Sequence, residues 1–218
     1  MPTTVKFLTP ADLRDTLRGM AAVSALRGTY PDHEFRVVAD GAVARWGDFA
    51  GNTCHFLFHP TGAVALGFDH ESPMSPHATC TGPGDFRAWP GVYESLPAPL
   101  ADALQANPLG PTFDNREVTF CLWNQTPTKT WQKGDIEYPE RDSGDPDGEG
   151  YILGWLTEYA RAFTDTFRET YRWELDESAV AELLSGDEVT RECIRRLGGA
   201  RDPDAAAADL TAMGFRIV

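Results

Sequence analysis

The chain has 218 residues, of which 42% are hydrophobic and 11% aromatic, with six Trp and twelve Phe; it is long enough for a sizeable core, and global disorder is excluded. A net charge of −14 and a pI near 4.7 leave no basic stripe, so nucleic acid and anionic membrane surfaces are not expected partners. No apolar run reaches signal-peptide or membrane-spanning length, and the expected setting is cytoplasmic.

In chain order, Thr9-Pro10-Ala11-Asp12 predicts a helix start: an N-cap oxygen, a proline at the first turn and an acidic residue at the positive dipole end. Leu13, Leu17, Met20 and Val23 continue it as an apolar stripe, and Arg27-Gly28 stops it. From about residue 30 to 140 the period falls towards two. FRVVAD, CHFLF, AVALGF, VTFCLW and WQKGDIEY read as strands bounded by Gly, Pro and Asn. Between Ser72 and Pro111 lies a long proline-rich excursion carrying WPGVY and a short helix near Pro99 to Gln105. Loops of that length usually cover or form something. Beyond ERDSGDPDGEG, residues 140 to 150, the period is helical. Ile152, Trp155, Leu156, Tyr159, Phe163, Phe167 and Tyr171 make one aromatic face, and Asp176, Asp187 and Asp202 each open a further helix. Strands followed by helices predict an α+β class. One domain is expected, with an antiparallel sheet packed against an N-terminal helix (1–28) and a helical C-terminal part (151–218).

The four cysteines are far apart and form no CxxC pair, so zinc-ribbon and thioredoxin motifs are absent; Cys54 and Cys121, inside strand patterns, read as small buried hydrophobes.

The turn His59-Pro60-Thr61-Gly62 suggests a type I turn with Gly62 in a following bulge. That register sets Phe58 opposite Val64, Phe56 opposite Leu66 and Cys54 opposite Phe68. His55 then shares a face with Asp69 and with the small residues Ala63, Ala65 and Gly67, which leave room for a helix or a ligand. With Glu71 or His77 folded back from GFDHESPMSPH, His55 and Asp69 would form a mixed nitrogen–oxygen set suited to a divalent metal. The plainer reading makes Asp69 an acceptor for backbone amides of the loop that follows. No cofactor is expected beyond that one metal option.

A second cluster lies in WQKGDIEYP, where strand alternation would align Trp131, Lys133, Asp135 and Glu137. Paired carboxylates at that spacing serve acid–base chemistry, but they also occur as a hydrated strand face. SGDPDGEG has the core of a calcium loop, yet its twelfth position is Gly154 where a bidentate Glu is needed. Serine-nucleophile and phosphate-loop patterns do not occur.

The strings GFDHES and MSP, WPGVY, FCLW and GDIEYP, spread over about residues 52 to 150, resemble a group of bacterial proteins with no assigned activity. The resemblance therefore implies no catalytic residue. The absence of a complete catalytic motif, the acidity, and the loop aromatics Trp89 and Tyr93 favour a binding or interaction protein. An immunity or antitoxin role, with another protein as partner, is the form expected. The alternative is a metal-assisted hydrolase built on the His55 and Asp69 face.

Overall fold

The first helix forms as its sequence dictates. In the computed structural model, which describes residues 3–28, 33–48, 50–82, 85–111, 113–140, 144–157, 165, 169, 174–198 and 201–218, helix α1 spans Pro10–Arg27. The Thr9 hydroxyl accepts from the Asp12 amide at 3.1 Å, and Gly28 closes the helix in the left-handed region at φ 64°. Strand β1 (Thr3–Lys6) precedes it, and a meander follows: β2 (Glu34–Val38), β3 (Gly41–Gly47), β4 (Thr53–His59) and β5 (Gly62–Phe68). After the excursion come β6 (Phe120–Asn124) and β7 (Thr130–Lys133). The sheet has the order β1-β7-β6-β5-β4-β3-β2, and every neighbouring pair is antiparallel. The class is α+β, as expected.

Both faces of the sheet are covered, by different parts of the chain. One face presents Ala44, Trp46, Phe56, Phe58, Leu122 and Trp131 to α1 and the C-terminal helices. The other presents Val43, Leu57, Val64, Leu66, Cys121 and Trp123 to Met74, Val92, Leu100 and Leu109 of the excursion. The excursion is thus a second layer, built around α2 (Pro76–Thr79) and α3 (Ala98–Ala106). After β7 the chain forms α4 (Glu149–Thr157), α5 (Glu177–Ser185), β8 (Glu188–Val189), α6 (Arg191–Gly198), α7 (Pro203–Ala212) and β9 (Arg216–Ile217). β8 and β9 make a short parallel pair that the helical reading of residues 151–218 did not contain. No helix among the described residues is long and apolar enough to cross a membrane.

Several expectations are corrected. The β4–β5 hairpin turns on two residues only, so Phe58 lies opposite Ala63, Phe56 opposite Ala65 and His55 opposite Leu66. Gly62 is the reason: it belongs to β5, where a Cβ would fall 2.5 Å from the Asn124 carbonyl oxygen of β6. Its glycine answers a close approach between strands, not a bulge. One residue of slip moves all of β5 to the opposite face. Val64 and Leu66 are still buried, but under the excursion. Ala63, Ala65 and Gly67 now lie on the helix-covered side, where the Phe120 ring occupies the space that a Cβ on Gly67 would need.

The WQKGDIEY strand ends at Lys133, so Asp135 and Glu137 leave the sheet and are exposed. Strand β3 was passed over because Gly41, Ala42 and Ala44 lack the β-branched and aromatic residues that announce a strand. Asp187 opens no helix. It pairs with buried Arg18 at 2.7 Å, and Thr190 caps α6 by accepting from the Cys193 amide. Phe56, Phe120 and Leu122 are fully buried, whereas Phe68 and Trp155 are only half-buried. Tyr159, Phe163, Phe167 and Tyr171 lie outside the described residues.

Candidate functional site

GFDHESPMSPH folds as a fastening at the end of β5. The Asp69 amide donates to the Thr119 hydroxyl at 3.1 Å, that hydroxyl donates to the Asp147 carbonyl at 2.7 Å, and Asp69 Oδ1 accepts from the Glu71 amide at 2.9 Å. Ser72 Oγ donates to the Pro146 carbonyl at 2.6 Å and accepts from the Met74 amide. Burial, opposed by the Glu71 amide, raises the Asp69 carboxyl above its usual range, and the charges of Asp145 and Asp48 push the same way. Glu71 pairs with His70. His77 is drawn elsewhere, 3.1 Å from Glu117, with its ring edge-on to Phe68 and Phe86.

His55, Asp69, Glu71 and His77 are therefore not brought together. The register places His55 beside Leu66 on the excursion face, and Asp69 is held by the Thr119 hydroxyl and the Glu71 amide. Among the described residues no three His, Cys, Asp or Glu side chains form a group able to hold a metal.

The second cluster is replaced by another. Lys133, not Asp135 or Glu137, gathers charge: its amine donates to Asp147 at 3.2 Å and to Glu149 at 2.5 Å, and Tyr138 donates to Asp147. Burial raises the Glu149 carboxyl, against the hydrogen bond and charge of Lys133. Asp145, inside SGDPDGEG, accepts from the Gly150 and Tyr151 amides and so caps α4. Glu137 contributes its backbone: its carbonyl accepts from the Trp89 indole at 2.9 Å, which fastens WPGVY to GDIEY.

A concave feature lies on the excursion face. A hollow of about 760 Å³ has Leu66 of β5 as its floor and Tyr93, Leu96, Leu104, Leu109 and Phe113 as its walls. Three separate stretches of the excursion supply those walls: the WPGVY turn, α3 and the segment after it. Gln105, Asp114 and Asn115 stand among the lining as its polar groups. The Tyr93 hydroxyl donates to the Asn115 carbonyl at 2.8 Å, and burial pushes its pKa up. Arg36 of β2 donates to the Pro108 carbonyl at 2.9 Å, tying the rim to the sheet edge.

His55 lies behind this lining. It is 5% exposed, its ring packs edge-on to Phe113 at 5.0 Å, and it hydrogen-bonds the Leu109 carbonyl. Burial, then the charge of Arg45 on the neighbouring strand, lowers its pKa to about 4, so the imidazole is neutral at pH 7. Its Nδ1 is buried without a hydrogen-bond partner among the described residues.

Of the residues singled out in the sequence, Tyr93 lines the hollow, His55 backs it and Trp89 anchors the turn beside it. Leu96, Leu104, Leu109 and Phe113 were missed. The available signal was an irregular, proline-punctuated stretch richer in Leu than a solvated loop requires. No protein-family model, curated protein or solved structure matches the chain.

Proposed function

We propose that the chain is a binding protein whose site is the hollow on the excursion face. The observation that supports this reading is the hollow itself, a concavity of about 760 Å³ with an apolar floor and walls and few polar groups. Small-molecule sites commonly have about 300 to 1,000 Å³ and that same lining. Two titratable groups at its wall, Tyr93 and His55, favour holding over reacting. Burial keeps the Tyr93 hydroxyl protonated and the His55 imidazole neutral. The site thus offers apolar surface and hydrogen-bonding groups, while a net charge of −14 disfavours anionic ligands.

Ligand-observed NMR with a library of small ring compounds, on the wild type and on Ala101→Trp, tests the reading. Ala101 lines the hollow and is half-exposed on α3, so a Trp there fills the space and leaves the buried core alone. The expected result is a set of compounds that bind the wild type and are lost in the variant, at unchanged circular dichroism. Compounds that bind both proteins equally, or none that bind the wild type, would overturn it.

A further inference from the structure

The hollow and the orphaned imidazole behind it are two independent observations that meet. Leu66 lies directly across the strand pair from His55, Phe113 packs on its ring and Leu109 takes its hydrogen bond; all three line the hollow. A buried polar atom without a partner is uncommon and costly, and it calls for an explanation in what the site binds. Nδ1 of His55 is such an atom. Since the imidazole is neutral, with its other nitrogen committed to Leu109, Nδ1 offers a lone pair and no proton.

We propose that the hollow binds a small, neutral, ring-bearing molecule with a single hydrogen-bond donor, and that His55 Nδ1 accepts from that donor. The proposal rests on the hollow being the binding site. Contact requires the Phe113 ring to turn aside, because it packs against the imidazole and His55 is closed to solvent. Phe113 follows Gly110-Pro111, outside any helix or strand, and is only partly buried against the sheet, so a ring-bearing ligand would take the place that its ring holds on His55. A small molecule fits better than a protein surface. Protein interfaces need a broad apolar area around any central pocket. The large hydrophobic side chains that are exposed among the described residues are Val37, Tyr138, Tyr151 and Val218, and none of them lines the hollow.

Indole and benzofuran test this, since they share a shape and differ in that benzofuran carries an oxygen where indole carries its N–H. Calorimetric titration of the wild type should show indole bound about tenfold more tightly, the effect of one buried hydrogen bond. Nitrogen-15 NMR of labelled histidine should show the Nδ1 resonance of His55 move with indole and stay with benzofuran, which needs no variant. His55→Leu, if folded, should bind the two equally, and Ala101→Trp should bind neither. Equal binding of both by the wild type, or an unmoved Nδ1 resonance, would overturn the donor–acceptor pairing while leaving the hollow as a site. Binding of neither, or binding that survives Ala101→Trp, would overturn the pairing and the hollow together.

Discussion

Gly91 and Gly134 face one another where two distant segments cross: a Cβ on Gly134 would lie 2.4 Å from the Gly91 carbonyl oxygen and 2.9 Å from that of Glu94. WPGVY and GDIEY therefore meet backbone to backbone, and the Trp89 indole closes the crossing on the Glu137 carbonyl. The crossing fixes one wall of the hollow, because Tyr93 belongs to the same turn.

Gly134→Ala should accordingly cost about 1 to 3 kcal/mol, the usual price of forced overpacking. Urea unfolding measures it. A loss below about half a kcal/mol, small for a mutation with a named steric cause, would show that the two segments separate freely.

Lys133 sits between Asp147 and Glu149, with all three side chains at most 13% exposed. Lys133→Met removes the cation and leaves two buried carboxylates without it. The expected loss is about 3 to 5 kcal/mol at pH 7, the range for breaking a buried pair from one side. Part of it should return as pH falls and Glu149, already raised, takes up a proton. A variant as stable as wild type at pH 7 would refute this.

The buried histidines set a pH dependence. Burial first, and the charge of Arg45 second, lower His55 to about 4 and His33 to about 3. Above pH 6.5 both are neutral, folded or unfolded, and contribute nothing. Below it the unfolded chain binds protons that the folded chain refuses, so stability falls as pH drops from about 6.5 towards 4, at up to about 1.4 kcal/mol per unit for each group. Asp69 and Glu149 act in the opposite sense, since their raised carboxyls bind protons more readily when folded. Their contribution begins as pH falls through their raised folded pKa values, above the usual carboxylate range, and partly offsets the loss from the histidines. Urea midpoints should therefore fall between pH 6.5 and 5, and a flat profile there would contradict the assignment.

Asp69→Asn is expected to be neutral or slightly stabilising at pH 7, within about 1 kcal/mol. The amide oxygen still accepts from Glu71, and the charge that Asp145 and Asp48 disfavour is gone. Divalent ions should leave the melting temperature of wild type and variant alike. A metal-dependent rise confined to the wild type would restore the metal reading of this loop.

Local chemistry carried most of what the sequence revealed. The Thr9 cap, the Gly28 stop, the capping aspartates at 176 and 202, and four strands rich in Phe, Val and Leu were legible because each signal lies within a few residues. What was not legible depended on distant parts of the chain. Gly62 resembles a turn glycine until Asn124 is placed against it, and which residues of β5 share a face with His55 depends on that one-residue register. Likewise the end of β7 is set by Gly91, more than forty positions earlier. The hollow had no motif to betray it, because its walls come from three stretches that no periodicity connects. His55 was singled out for a partnership with Asp69 that the true register forbids, and its neighbours proved to be Leu109 and Phe113.

The excursion leaves the sheet after Phe68 and re-enters it at Phe120, on the adjacent strand. The Thr119 amide and hydroxyl both reach the Gly67 carbonyl, 52 positions away in the chain. The chain thus leaves the sheet for the outer layer and returns to it at one doorway between β5 and β6. Tight turns bring β2 to β3 and β4 to β5, whereas pairing β6 with β5 must first close a long loop, whose entropic cost grows only with the logarithm of its length. Folding should begin in the meander and add β6 and β7 late, with mutations in β6 altering unfolding more than folding rates. High φ-values in β6 would reverse that order. The slow growth of closure cost also means that lengthening or trimming the outer layer is cheap for the sheet beneath, so that layer is where this architecture has most freedom to diverge.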